Sequence, residues 1–361
     1  MKKYFEQIND PRQPWKIEHK LDEIVIMTIV AVVCGLDIWE DIADYCKAKI
    51  DWFREQLKLE LVNGVASHDT FQRVFQLIKP TELENCFRSW VSDTVKITNG
   101  EIVGIDGKTL CGSRDKKTKA IHMVSAWASA NKVVLGQMKT NEKSNEITAI
   151  PTLINLLELH DCIVTIDAMG CQTKIVETIV EAGADYVIGL KGNQENMLNE
   201  AKRHFEDDTI SRQEHKTENK GHGREERREY SLITEFNDLE QKENWSELNG
   251  FGKVKSIVIE KGKLSEETRY FITSITKVET FLNAVRGHWG IENNLHWSLD
   301  VSFNEDDSRI RKDNSPENFA VIRHLVLNAL NMHPSKMSLA RKRRRCQYDP
   351  QFLLDILAYM L

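Results

Sequence analysis

Residues 102–110 read IVGIDGKTL, and residues 162–170 read CIVTIDAMG. In both, an apolar, β-branched run leads into an aspartate, Asp106 in the first and Asp167 in the second. Such runs predict buried strands. An acid at the end of a buried strand is costly unless its charge is compensated. A third acid, Glu292, sits in HWGIENNLHW at 288–297, a Trp- and His-rich stretch that reads as helix. Two strand-end aspartates and a helical glutamate suggest a carboxylate cluster that holds divalent metal. That is the layout of enzymes that cut and join nucleic acid backbones.

Around these runs the hydrophobic period assigns the rest. Glu101–Asp106, Ala120–Ala128 and Lys132–Lys139 read as three successive strands, the last two joined by a short Ala-Asn turn. Asn145–Leu157 is helical, with Pro151 in an early turn or a kink. Cys162–Asp167 is a strand, Thr173–Ala182 a helix ended by Gly183, and Ala184–Leu190 a strand, with a further helix from near Asn193. The class is therefore α/β: a mixed sheet flanked by helices over 97–202, resumed over 278–335 with helices from Phe281 and over Asn318–Leu330. The segment 203–277 starts polar and then alternates at Tyr230–Ile233, Lys253–Ile259 and Thr268–Ile275, which predicts a β-rich insertion.

Residues 1–96 read as an all-helical domain. Leu21–Leu36 is one helix, and Ser67 caps another that carries Phe71, Val74, Phe75 and Ile78 on one face. Pro80 ends it, and Thr81 and Glu84 form a capping box for the next. SHDTFQRVF has the form of a helix-turn-helix reader, although ordinary helical packing is the commoner explanation. Residues 336–361 read as a basic tail, RKRRR at 341–345, and an amphipathic helix, Gln351–Leu361.

Composition sets outer limits. With 361 residues, 41% hydrophobic and 29% charged, the chain is an ordinary soluble globular protein of more than one domain. A net charge of −6 supplies no global attraction to DNA, so any nucleic-acid surface must be local. The seven cysteines contain no C-x-x-C pair, which argues against a zinc site or a disulfide framework and suits a reduced cytosol. The start, MKKYFEQINDPRQPW, lacks the apolar core of a signal peptide, and Ile24–Leu36 is too short to span a bilayer. A cytoplasmic, nucleoid-associated location is expected.

Two carboxylates a few ångström apart repel, and one stays protonated unless a cation intervenes. Oxygen ligands without Cys or clustered His favour Mg²⁺ or Mn²⁺, and two such ions can clamp the attacking and leaving oxygens of a phosphoryl displacement. Alone, either aspartate is more often a cap or turn residue. Together, followed by Gly107 and by Ala168 and Gly170, they make a shared site as good a reading as a structural one. Glu292 lies on a face with His288, Trp289, Leu295 and His296, unlike a solvated glutamate. The histidines lack a third partner for zinc, so phosphate contact or packing suits them better. Lys108 and Arg114 follow Asp106; Lys191 and Asn193 open a helix; Lys220 and Arg224 flank a glycine turn; Arg309 and Arg311 follow an acidic run. With Arg341, Lys342, Arg343, Arg344 and Arg345 they are candidate DNA contacts. Each run alone is usually a solvated face.

The runs IVGIDGKTLCGS, QMKTNEKSNEITAIPTLINLL, TIDAMGCQ, LKGNQ, HGREERRE and HWGIENNLHWSLDVSFNEDDSRIR resemble the H-repeat-associated proteins, insertion-sequence transposases of the D-D-E class. The likeness runs from DPRQPWKIEHKL and SHDTF to the basic tail, so it spans the chain. It implies an RNase H-like core with a β-rich insertion, a helical N-terminal domain, and Asp106, Asp167 and Glu292 as a catalytic triad on two Mg²⁺. It also implies double-stranded DNA as partner, both the element's terminal inverted repeats and the target, and a homodimer on paired ends. The wider class carries Tyr, Arg and Lys around its glutamate; here those positions are Val285, His288 and Leu299. Arg286 or His296 would have to substitute. A nuclease or Holliday-junction resolvase that does not join strands, and an inactive DNA-binding remnant that represses its element, are the alternatives.

Overall fold

A computed structural model describes residues 2–114, 119–140, 145–221, 224–236, 239 and 242–360. The N-terminal region is helical: α1 (Lys2–Phe5), α2 (Leu21–Val33), α3 (Trp39–Ala48), α4 (Ile50–Leu57), α5 (His68–Leu77) and α6 (Pro80–Thr94). Helix α2 is apolar on all sides and is accordingly buried almost throughout, with Thr28 returning its hydroxyl to Ile24 O at 2.9 Å. It stops at Val33 rather than Leu36. Gly35, at φ +88°, takes the left-handed position, and Leu36 N bonds back to Ala31 O at 3.0 Å. Ser67 caps α5 as expected, accepting from Thr70 N at 3.3 Å. The expected Thr81–Glu84 capping box does not form. Pro80 itself opens α6, where its missing N–H costs nothing, and Glu84 instead accepts from Gln137 N at 3.0 Å on the sheet.

The sheet contains β1 (Ile102–Leu110), β2 (Ile121–Ala128), β3 (Val133–Thr140), β4 (Ile163–Ile166), β5 (Asp185–Leu190), β6 (Gln213–Gly221), β7 (Arg224–Ile233), β8 (Gly250–Glu260) and β9 (Lys263–Thr273). The described residues order these nine as β3-β2-β1-β4-β5-β9-β8-β7-β6. Strands β1, β4 and β5 are parallel neighbours and the other pairs are antiparallel, so the sheet is mixed. Pairing of Ile105 with Ile166 brings Asp106 and Asp167 side by side. Asp106 does not end its strand, however. Residues 107–110 keep pairing with β2 after β4 has stopped, so the acid sits mid-strand where one neighbour departs.

The alternating segments after residue 203 extend this same sheet through the β5–β9 pair. They include β6, which the polar run QEHKTENKG did not announce as a strand. It forms because its backbone pairs with β7 along nine positions, Gln213↔Leu232 to Gly221↔Arg224. The basic glycine turn read after Lys220 includes His222 and Gly223, which lie outside the described residues.

Helices α7 (Glu146–Ile154), α8 (Thr173–Glu181), α9 (Glu195–Glu206), α10 (Val278–Gly290), α11 (Trp297–Phe303), α12 (Ser315–Met332), α13 (Leu339–Tyr348) and α14 (Pro350–Leu357) complete the chain. Gly183, at φ +71°, closes α8 in the expected place. Helix α10 crosses β1 and β4 so closely that a Cβ at Gly287 would run into Ile102. The basic run is not a free tail. Lys342 and Arg343 are buried in α13. Lys342 Nζ donates to Leu330 O at 2.5 Å and His333 O at 3.0 Å. The Arg343 guanidinium lies over the Phe303 ring at 4.1 Å and binds Val32 O, Ser302 O and Asp37. Their charges satisfy helix C-terminal carbonyls, so neither faces DNA. Arg341 and Arg344 are exposed, and Arg345 pairs with Asp349 at 2.8 Å. Among the described residues no helix is long and apolar enough to cross a membrane.

Candidate active site

Each acid is held by its own local structure. Asp106 Oδ1 accepts from Gly107 N at 2.8 Å. Asp167 caps the short 3₁₀ turn Ala168–Gly170, accepting from Met169 N at 2.9 Å. That turn is pinned from outside: Asn193 Nδ2 donates to Ala168 O at 2.7 Å and Gln194 Nε2 to Cys171 O at 2.9 Å. Asn193 thus serves the backbone behind Asp167. Glu292 lies on neither an α-helix nor a loop. Ile291–His296 form a π-helical segment between α10 and α11. Such wide turns recur at functional sites because they re-aim side chains. Ile291 anchors it against Gly104 of β1, where a Cβ would lie 3.5 Å from Ile291 Cβ. Glu292 is left exposed beside Asp167 and His288 in a cleft of about 650 Å³.

The electrostatics mark Asp106 as the strained member. Burial pushes its carboxyl up to about 7, against the pull of the Gly107 N–H, and Asp167, Glu146 and Glu292 push the same way. Glu146 is a residue the sequence reading missed. It is buried at the start of α7 and bonded to His122, whose other nitrogen meets Thr109 Oγ1 at 2.9 Å. The pair stands directly behind Gly107, where a Cβ would run into both. A lone acid opening an apolar helix gave only a capping signal. His296 Nδ1 lies 3.8 Å from Asp106 Oδ2, and burial with Lys108 lowers it to about 4. Burial also lowers His288, although Asp167 and Glu292 oppose the shift. His288 Nδ1 meets Thr165 Oγ1 at 3.0 Å. Burial favours the neutral form of both; His288 is held by its Thr165 hydrogen bond, while His296 Nε2 is buried without a hydrogen-bond partner among the described residues.

Oxygen donors on one repelling cluster suit a hard divalent cation. Among the described residues no three His, Cys, Asp or Glu side chains converge as a ready cage. Mg²⁺ does not need one, since it keeps several waters and takes one or two carboxylates plus substrate phosphates. A raised acid also makes a stability prediction. Below its unfolded value of 3.8 both states are protonated and nothing is lost; as pH rises toward about 7 the unfolded chain ionises first, and the folded state is penalised. In EDTA, Asp106→Asn is therefore expected to gain about 2–4 kcal/mol over the natural chain between about pH 4.5 and 8. Denaturant midpoints at the two pH values test this; a constant gap refutes it.

The basic candidates divide. Lys191 lines the cleft with Asp167 and Glu292, joined by Lys202 and Arg269, which sequence reading passed over. Arg269 and Arg228 lie over the Trp289 ring, at 5.4 and 4.0 Å to its centroid. They come from different strands, so no local pattern announced them. Lys108 is not available to DNA: Asp300, Glu305 and Asp306 hold its Nζ at 2.7, 3.2 and 3.0 Å. Its strand points it into that acidic group, which raises its pKa although burial opposes this. Arg311 is likewise spent on Gly112 O at 2.7 Å. Lys220 and Arg224 lie on the β6–β7 hairpin, paired to Glu225 and Glu226. Arg114, Arg286 and Arg309 are exposed.

A family profile described as "Transposase DDE domain" matches residues 97–329, and one described as "DDE_Tnp_1-associated" matches residues 2–91. Three relatives with near full-length likeness are Escherichia coli proteins. The H repeat-associated putative transposase YhhI of strain K12 is 40% identical, over 99% of this chain and 98% of its own. The putative protein YbfL of the same strain has the same identity and coverage. The putative transposase YncI of O157:H7 is 39% identical over 98% of this chain and 93% of its own.

Proposed function

The chain belongs to the transposase DDE-domain family, and from that premise we propose that it moves an insertion sequence by cutting DNA strands at the element's ends and joining the freed 3′-OH to target DNA. The observation that carries this reading is the pair Asp106 and Asp167 on adjacent parallel strands. One of them is raised to about 7, and Glu292 faces Asp167 in a cleft walled by Lys191, Lys202 and Arg269. A three-stranded antiparallel meander running into two parallel strands supports an RNase H-like core.

In this reading Asp106, Asp167 and Glu292 hold two Mg²⁺ or Mn²⁺. The ions, when bound, offset the repulsion among the carboxylates and the charge that develops on the phosphate oxygens. The chain's own residues do the positioning. The caps on Asp106 and Asp167 aim one oxygen of each inward, since the other already accepts a backbone N–H. The π-helical segment turns Glu292 toward Asp167. Lys191, Lys202 and Arg269 meet the sugar-phosphate backbone, which positions the strand without reading its sequence. Trp289 packs against Arg228 and Arg269 and so helps position Arg269 in that wall.

The test is product analysis on DNA that carries the element's inverted ends, with Mg²⁺. Nicked ends followed by joined products are expected. Hydrolysis without joining would favour a nuclease, and end-binding without cutting an inactive repressor; either result overturns the transposase reading.

A further inference from the structure

The two edges of the sheet are treated differently. At the β3 edge, buried side chains occupy the backbone. Asn328 of α12 accepts from Val134 N and donates to Val134 O, both at 2.8 Å, and Glu84 takes Gln137 N. At the β6 edge, among the described residues, no strand or side chain bonds the outer backbone groups of Gln213–Gly221. All of β6 is exposed except Thr217, which is half-buried. A nine-residue edge left open is a template for another strand.

The side chains on that edge specify which strand. Alternation puts Glu214, Lys216, Glu218 and Lys220 on one face of β6. The opposite face turns toward α10, where Gln213 bonds Thr276 O and Val278 N. We propose that β6 pairs antiparallel with β6 of a second copy of this chain, about a two-fold axis at Thr217. In that register Lys216 stands opposite Glu218 of the partner subunit, and Glu214 opposite Lys220 of the partner subunit. The axis repeats both, so every charge on the face meets its opposite. A slide of two residues either way sets Lys216 against Lys216, or Glu218 against Glu218, across the interface. A slide of one sets each charge against a residue of the other face. A slide of four restores opposite signs but keeps only Glu214 against Lys216, or Glu218 against Lys220, so this register alone pairs all four charges of the face. The surface is separate from the carboxylate cleft and the pairing needs no DNA or metal, so it stands whether or not the proposed activity does.

The test is the mass of the full chain by sedimentation equilibrium, without DNA. A concentration-dependent dimer is expected. Lys216→Glu or Glu218→Lys alone replaces attraction by repulsion at two symmetric places and should weaken the dimer about tenfold. The double variant K216E/E218K restores opposite signs and should recover it. Inside one chain Lys216 faces Glu229 at 3.2 Å and Glu218 faces Arg227 at 3.8 Å, so a merely intrachain role makes the double variant no better than the singles. In a Cys111→Ser background, which removes the exposed cysteine, Thr217→Cys should crosslink to its own copy on oxidation and Asn219→Cys should not. A monomer at every concentration, a double variant that fails to recover, or Asn219→Cys crosslinking as readily as Thr217→Cys overturns the proposal.

Discussion

Asp106→Asn is expected to lower Mg²⁺-dependent strand cleavage by on the order of a thousandfold or more, with Asp167→Asn and Glu292→Gln close behind. The argument rests on charge. Each substitution keeps the shape of its side chain, and for Asp106 and Asp167 an oxygen for the backbone N–H, but removes an anionic oxygen that would hold a cation. For Asp106 the loss of activity should come with a gain in stability at neutral pH, because burial and Asp167 already penalise its ionised form. A buried acid that destabilises the fold yet is needed for activity is the signature of a working site. It also separates a chemical defect from unfolding. Single-turnover cleavage of an end-bearing duplex reads the effect. A variant that still cuts within about tenfold of the natural chain removes that residue from the catalytic set.

Arg343→Met should destabilise the protein by about 3–5 kcal/mol, since it leaves the partly buried Asp37 and two helix carbonyls without their donor. Arg343 closes the C-terminal end of α2 through Val32 O, pairs with Asp37 at 3.0 Å, and reaches Ser302 O in α11. It therefore ties three segments that are far apart in sequence. Replacing the exposed Arg341 and Arg344 by Gln should change stability by less than about 0.5 kcal/mol each. Urea unfolding followed by circular dichroism compares them. If Arg343→Met unfolds at the natural midpoint, the buried guanidinium is not holding these helices together.

The contrast inside RKRRR shows what local reading misses. Five basic residues in a row look like one solvated patch, yet the helical period sends Lys342 and Arg343 inward and Arg341 and Arg344 outward. Nothing in the run itself says that α2 offers carbonyls on the inward side. Lys108 was misread for the same reason: its acidic partners lie almost two hundred residues away. Strand β6 was missed because it buries no apolar side chain, so it has no apolar alternation to detect. Glu146 and His122, set behind Asp106, come from segments whose patterns say only helix and strand.

What the sequence determined by itself were features set by short-range physics. The apolar β-branched runs ending at Asp106 and Asp167 demanded buried strands. The bulky face around Glu292 demanded a packed helix, which buries Ile291 and Leu295, although Glu292 itself is exposed where that face predicted it would not be solvated; Ser67 and Gly183 marked their helix ends. These hold because period, capping and left-handed backbone depend on a few neighbouring residues. Tertiary structure alone decided that β1 and β4 lie parallel in a register that joins the aspartates, that a π-helical turn aims Glu292, and which basic side chains reach the cleft. It also left β6 as an open edge among the described residues. Those outcomes depend on pairing and burial between segments a hundred or more residues apart, where each group's partner is supplied by distant chain and local pattern carries no record of it.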